Sequence, residues 1–148
     1  MTLNMIYKDE PSGFNSKFSV VSCYIESDGE ILLLKRQMNK SEGGTWGLPA
    51  GKIEGDESEF EAMRREVEEE TGLKIPLDQI QYIYRLFVRY RDYDFIYHSF
   101  ILRLSDKPTI VISQQEHSDY RWVKPLESLS LPLIPDLDAC IRDFYNLS

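Results

Sequence analysis

The chain has 148 residues, of which 42% are apolar and 28% are charged, and its formal net charge is −8. This length suggests one domain with one core, and the composition is that of an ordinary soluble globular protein. The segment 54–70 holds nine acids and two bases, whereas the rest of the chain holds 16 acids and 15 bases. The excess charge therefore forms one anionic patch, and the basic stripe typical of nucleic-acid-binding proteins is missing from the sequence.

Neither a targeting segment nor a structural zinc site is indicated by the sequence. The first 15 residues contain no apolar core of a signal peptide, and the longest apolar runs are too short to span a bilayer. The two cysteines, Cys23 and Cys140, lie in apolar and helical patterns, so we expect reduced, mostly buried thiols. These features predict a cytoplasmic protein with a single domain over 1–148, in which 1–16 is a peripheral extension.

The first half of the chain predicts a β-hairpin followed by a loop. Segments 17–25 and 30–36 are rich in apolar residues and are predicted as strands, and they flank the turn signal Ser27-Asp28-Gly29. Residues 38–49 contain three glycines and a proline, which is typical of a loop.

A helix is predicted over 57–71. Asp56 is a suitable N-cap, and Glu59 follows three residues later as its capping-box partner. Gly72 lies where a left-handed residue commonly ends a helix. Apolar residues recur at spacings of 3 and 4 along one stripe: Phe60, Met63 and Val67.

The second half predicts two long strands, two short strands and a closing helix. The long strands are expected over 81–90 and 95–104, the short strands over 109–112 and 119–123, and the helix over 136–145 after Pro135. Strands mixed with two helices favour a layered α/β or α+β fold.

Three carboxylates gather on one face of the predicted helix 57–71. At 3.6 residues per turn, Glu66, Glu69 and Glu70 share a face beside the apolar stripe, whereas Glu68 points away. Partly buried carboxylates raise one another's pKa unless a positive charge lies among them, and the C-terminal end of a helix disfavours anions. A hard divalent cation such as Mg²⁺ would stabilise this arrangement because it prefers carboxylate oxygens. The alternative is an acidic helix face that is simply solvated.

The spacing of residues around this helix is a further signal. From Gly51 to Leu73 the sequence follows the pattern G-x5-E-x7-R-E-U-x-E-E-x-G-U, where U is aliphatic, and every defined position is filled. The pattern resembles the signature of the Nudix hydrolase superfamily, which includes the MutT-like proteins. The flanks "TWGLPAGKIEGDE" and "EHSDYRWV" resemble the family too, although many members have two glycines where this chain has Ala50-Gly51. Gly51 and Gly72 are expected to serve backbone conformation rather than chemistry.

The resemblance implies a fold and an activity. The fold would be the α/β Nudix fold, a mixed β-sheet sandwiched between helices, with residues 51–73 forming a loop–helix–loop. The activity would be hydrolysis of a phosphoanhydride in a nucleoside diphosphate linked to another group, with Mg²⁺ as cofactor and Mn²⁺ as a possible substitute. Homodimers are common in the family, and neither a membrane nor a nucleic acid is expected as a partner.

Several substrates and one other function class stay open at this point. A nucleoside triphosphate or a similar small nucleotide is the first expectation. A dinucleoside polyphosphate or a nucleotide sugar is the alternative within the enzyme class. Outside that class, the chain would be a nucleotide-sensing domain without turnover, or a partner-binding protein whose acidic helix is solvated.

The resemblance also assigns roles to individual residues. Glu66 or a loop acid such as Glu116 would be the general base, and the family pattern does not decide between them. Arg65 would orient the carboxylates by charge-assisted hydrogen bonds with Glu57 as its partner, unless it forms only a surface pair with Glu61. The alternative for Glu116 is a surface loop acid without a role in the site. The metal ligands would come from the following groups: Glu66, Glu69, Glu70, the backbone carbonyl of Ala50, and Glu116.

Three further residues are candidates for substrate binding. Lys52 and Arg89 would bind phosphate, and Trp46 would stack on a base. Solvated strand-end charge is the alternative for Arg89. Core packing is the alternative for Trp46, and for Phe87 and Tyr97, which are also suitable for stacking.

Overall fold

The computed structural model describes residues 5–90 and 92–148. Within them lies one mixed sheet of eight strands. The strands are β1 (Met5–Tyr7), β2 (Ser16–Ser27), β3 (Glu30–Arg36), β4 (Trp46–Gly47), β5 (Ala50–Lys52), β6 (Gln81–Arg89), β7 (Asp94–Leu104) and β8 (His117–Val123). The α-helices are α1 (Glu59–Thr71), α2 (Pro125–Ser128) and α3 (Leu137–Phe144), and a short 3₁₀ helix covers Leu77–Gln79.

The sheet divides where β2 and β3 separate. These strands pair only beside their turn, at Glu26↔Ile31 and Ser27↔Glu30. Further along, β5 pairs with β2 and β4 pairs with β3, so the two short strands occupy the space between the long ones. β7 runs parallel to β2 on its other side, whereas β6 and β1 continue the sheet in antiparallel fashion. This topology positions β5 between both halves of the sheet.

The two faces of the sheet carry separate apolar cores. Along β2, Val21, Cys23 and Ile25 face α1, whereas Tyr24 faces α3, as the period of two in a strand requires. The prediction of a mixed sheet sandwiched between helices is confirmed. Core residues from α1 are Ala62, Met63 and Val67, and those from α3 are Leu137 and Ile141.

The predicted start of α1 was wrong by two residues. Ser58, not Asp56, is the N-cap: its Oγ accepts a hydrogen bond from Glu61 N at 3.1 Å, and the Glu61 carboxylate accepts one from Ser58 N at 2.8 Å. Asp56 and Glu59 have the same spacing, but the cap hydrogen bonds form at Ser58, whose backbone is extended, with φ −74° and ψ 166°. The predicted end was correct, because Gly72 is left-handed with φ 78°.

Most of the other predicted elements are confirmed within a few residues. The long strands, the strand at 119–123 and the closing helix are present, as β6, β7, β8 and α3. The strand predicted over 109–112 is wrong, since this segment has no sheet partner; Val111 N instead donates to the carbonyl of Thr71 at the end of α1, at 2.9 Å. The elements that sequence reasoning did not find are short: β1, β4, β5, α2 and the 3₁₀ helix Leu77–Gln79. In the described part of the chain, every helix is too short or too polar to cross a bilayer.

Candidate active site

The site is built where β5 passes the last turns of α1. A β-carbon on Gly51 would overlap the carboxylate of Glu66, so this carboxylate lies directly against the Gly51 backbone. The φ angle of Gly51 is not in the left-handed region. Gly51 is therefore needed for space rather than for an unusual backbone angle, which corrects the expectation from the sequence.

Backbone alternation in β5 directs polar groups toward α1. Pro49 and Ile53 bond to β2, through Cys23 N at 3.0 Å and Ser19 O at 2.9 Å. Ala50 and Lys52, which alternate with these residues, therefore turn their peptide groups the other way, because alternate residues of an antiparallel pair bond to the same neighbour. Accordingly, Ala50 N donates to Glu70 Oε1 at 3.0 Å, and the Lys52 carbonyl accepts from Arg65 Nη2 at 3.0 Å.

Glu66 and Glu70 form a buried pair of carboxyl groups. They are 7% and 4% exposed. Burial raises the pKa of Glu70 to about 9, and the nearby charges of Glu66 and Glu116 contribute to this rise. Burial also raises the pKa of Glu66, although its hydrogen bond with Arg65 acts in the opposite direction. The pair therefore lacks sufficient positive charge nearby.

Arg65 connects the two ends of the signature segment. Its Nε and Nη2 donate to Oε2 and Oε1 of Glu57 at 2.6 and 3.0 Å, a bidentate contact that lowers the pKa of Glu57. Its Nη1 donates to Glu66 Oε1 at 2.8 Å and to Glu69 Oε2 at 3.2 Å. Glu61 is engaged in the helix cap instead. The expected contact between Arg65 and Glu57 is thus present, and it fixes Arg65 beside the carboxylates.

The acidic residues fit a hard divalent cation in their chemistry. All donors are oxygens, and two of the carboxyl groups are buried with raised pKa values. Among residues 5–90 and 92–148, however, no three acidic, histidine or cysteine side chains form a ready-made metal-binding group. Glu66 and Glu69 are held by Arg65, while Glu70 is held by Ala50. Glu116, on the turn before β8, is exposed.

A cleft of 390 Å³ opens on the opposite side of β5, on the α3 face of the sheet. Ala50 forms part of its wall, so one residue borders both the acidic site and the cleft. The interior is apolar, and a cluster of aromatic rings from β2, β7 and the turn before β7 lines one side. The members of this cluster are Phe18, Tyr90, Tyr93 and Phe95, and the polar wall residues include Arg36 and Asp136.

The candidate substrate residues lie in different places. Lys52 Nζ lies over the ring of Phe18, 4.2 Å from its centroid, at the edge of the cleft. Trp46 is 7% exposed and packs in the core, in agreement with the alternative interpretation of this residue as a core residue. Arg89 bonds to Asp94 and to the carbonyl of Ser12. The Arg89 side chain also points away from the cleft, because Val88 and Tyr90 on either side of it line the cleft and successive side chains of a strand alternate in direction.

Sequence reasoning missed most of the cleft. Of the aromatic residues considered for stacking, Tyr97 lines it, whereas Phe87 packs edge-on against Phe14. Arg36 and Asp136 were not considered. The one available signal was the alternation within β6 and β7, which shows the residues that share a face but not the element that covers it.

Comparison with known proteins agrees with this architecture. Residues 16–145 match the family model described as "NUDIX domain". A CTP pyrophosphohydrolase of Escherichia coli is 33% identical over 116 residues, 78% of this chain and 82% of the relative. The nucleoside triphosphatase NudI of Salmonella agona is 35% identical over 74% of this chain and 83% of its own length. The crystal structure of a MutT protein from Methanosarcina mazei superposes with a TM-score of 0.72 at 28% identity, covering 87% of this chain and 93% of the other.

Proposed function

The chain belongs to the NUDIX family and is a hydrolase of phosphorus-containing anhydrides, and on this premise we propose that it cleaves a nucleoside triphosphate with Mg²⁺ as its metal. Water would attack a phosphorus of the triphosphate, giving a nucleoside monophosphate and pyrophosphate. The observation that carries the proposal is the position of Ala50, which joins the buried pair Glu66 and Glu70 to the cleft.

The dimensions of the cleft favour a single nucleoside. Small-molecule sites commonly enclose about 300–1,000 Å³, and 390 Å³ is near the lower limit. The apolar and aromatic lining suits a base and a sugar, and the acidic site beyond Ala50 suits a metal-bound polyphosphate. Two relatives are named for CTP and nucleoside triphosphates, which supports the same substrate class.

The chain's own residues would hold the metal and prepare the attack. Glu66, Glu69, Glu70 and Glu116 would supply carboxylates. The carbonyl of Ala50 would join them, since it lies on the same side of β5 as the N–H that bonds Glu70. When bound, Mg²⁺ polarises phosphoryl oxygens and lowers the pKa of a bound water. Arg65, anchored by Glu57, would keep Glu66 and Glu69 oriented, and Glu66 or Glu116 would take the proton of the attacking water.

The test is turnover of a nucleotide panel by the wild-type chain and by Glu66→Gln, with products resolved. The panel contains nucleoside triphosphates, dinucleoside polyphosphates, nucleotide sugars and dinucleotide cofactors. We expect nucleoside triphosphates to be cleaved fastest, and the variant to lose more than about 100-fold in turnover because it loses a ligand charge at constant shape. Glu68→Gln, an exposed neighbour on α1, is the matched control and should keep wild-type turnover.

Each other result has a definite meaning. Faster cleavage of dinucleoside polyphosphates or nucleotide sugars would replace the proposed substrate. Near-native turnover of Glu66→Gln would remove Glu66 from the catalytic group. Ligand-induced stabilisation without any turnover would indicate a nucleotide sensor. We also propose a cytoplasmic location, which the two free cysteines support.

A further inference from the structure

We infer that Gln37 is a positioning residue, which holds the turn carrying Glu116 in the place where that carboxylate can act. The inference rests on the proposed role of Glu116 in hydrolysis. Gln37 follows directly after β3, is half-buried, and belongs to neither the acidic cluster nor the cleft wall.

The contacts of Gln37 are concentrated on one short turn. Its side-chain Nε2 donates to the carbonyl of Gln114 at 2.7 Å and to that of His117 at 3.2 Å. Its backbone N donates to the carbonyl of Glu116 at 2.9 Å. Both N–H donors of the amide group are thus used, and three carbonyls within four consecutive residues accept from one residue.

The turn itself is compact, and its other outside contacts are backbone contacts at its two ends. Glu116 N and His117 N both donate to the carbonyl of Ser113, at 3.0 and 2.8 Å, which closes the turn on itself. Upstream, Val111 is tied to the end of α1 through Thr71. Downstream, the register of β8 against β3 shifts next to His117. Within the described residues, the side chain of Gln37 therefore joins the turn to the end of β3.

This attachment matters because Glu116 is exposed and, among the described residues, its carboxylate makes no hydrogen bond or ion pair. The position of its carboxylate depends on the backbone of the turn. Any residue except proline at position 37 would keep the backbone hydrogen bond to Glu116. The two side-chain hydrogen bonds, to the carbonyls of Gln114 and His117, need a side chain as long as glutamine with two N–H donors. Loss of an outer-shell contact of this kind typically lowers activity about 10–100-fold.

The test is a double-mutant cycle between Gln37→Ala and Glu116→Gln, measured as kcat and KM on the preferred nucleotide. We expect Gln37→Ala to lower kcat about tenfold with KM within about twofold, and to have no further effect when Glu116→Gln is already present. Gln37→Glu keeps the shape but replaces donors by acceptors, so its kcat should fall at least as far. Gln115→Ala, in the same turn and exposed, should retain wild-type kinetics.

Hydrogen exchange supplies a readout that does not depend on activity. In Gln37→Ala, amides of residues 114–117 should exchange faster, while the amides of α1 keep their protection. Unchanged exchange in this turn, or a kcat loss that is equal with and without Glu116→Gln, would overturn the inference.

The proposed function fails in a different way. If the wild-type chain cleaves no nucleotide of the panel, both proposals are overturned. If Glu116→Gln alone leaves kcat unchanged while Glu66→Gln abolishes it, hydrolysis at the acidic pair stands and the role of Gln37 does not.

Discussion

Replacing Gly51 by alanine is the sharpest test of the site's packing. The added β-carbon would meet the Glu66 carboxylate at a separation that real β-carbons do not show. Because Glu66 is also bonded to Arg65, it cannot move without breaking that contact. Overpacking of this kind costs about 1–3 kcal/mol. We therefore expect Gly51→Ala to lower the free energy of unfolding by this amount and to abolish most turnover.

The same substitution should behave differently once the carboxylate has been removed. In a Glu66→Ala background, the β-carbon at position 51 has room, and its φ angle is not one that only glycine adopts. Gly51→Ala should then stabilise the chain by about 0.4–1 kcal/mol, because alanine restricts the unfolded chain. The coupling free energy between the two sites is the difference between the effect of Gly51→Ala in the wild-type chain and its effect in the Glu66→Ala background, about 1.4–4 kcal/mol.

Urea unfolding in EDTA of the four proteins of this cycle measures that coupling. The chelator keeps metal binding from adding to the stability of some variants and not others. A coupling near zero would refute the reasoning, since it would mean that Glu66 can leave Gly51 without loss. Native turnover of Gly51→Ala would refute it equally.

Three further predictions concern the surrounding structure. Arg65→Lys keeps the charge but loses the bidentate contact with Glu57, so kcat should fall at least about tenfold. Arg64→Lys is the control and should not change kcat, and steady-state kinetics of both variants tests the prediction. Burial lowers the pKa of His98 below 6.5, so near this pH the unfolded chain binds a proton that the folded chain does not. The stability from this group is therefore lost as pH falls below about 6.5. His98→Gln should flatten the change in unfolding free energy between about pH 7.5 and 5.5, and an unchanged slope would contradict this. Ala50→Gly should raise KM more than it lowers kcat, because it removes a methyl group from the cleft wall and leaves the backbone carbonyl in place; a kcat loss without a KM change would contradict it.

The acidic site was predictable because its main residues share one helix and the adjoining strand. The helical period alone places Glu66, Glu69 and Glu70 on one face, and it places Glu68 elsewhere. The reach from Arg65 to Glu57 needs only one bend of the chain before α1. Local geometry therefore carried the prediction as far as the carboxylates and their arginine.

Errors arose where two local patterns competed or where a partner was distant. Asp56 and Ser58 both begin a capping-box spacing, and the hydrogen bonds between Ser58 and Glu61 in the folded chain distinguish them. The apolar segment 109–112 has the composition of a strand, but in the described structure its backbone hydrogen bond, from Val111 N, goes to the end of α1 and not to a neighbouring strand. Trp46 was considered for substrate stacking as an aromatic ring, with core packing as the alternative, and its ring lies in the α3 core.

The cleft was beyond local patterns because its walls come from strands far apart in the chain and from α3. The alternation of β5 explains how this distant cleft and the local acidic site form one unit. Gly51 faces α1 and leaves room for Glu66, whereas its neighbours present their side chains to the other face, where Ala50 lines the cleft and Lys52 covers Phe18. Their peptide groups meanwhile bond Glu70 and Arg65 on α1. A three-residue strand thus separates the acidic site from the apolar cleft, and a shift of its register by one residue would place Gly51 in the cleft and a side chain in the position of the Glu66 carboxylate.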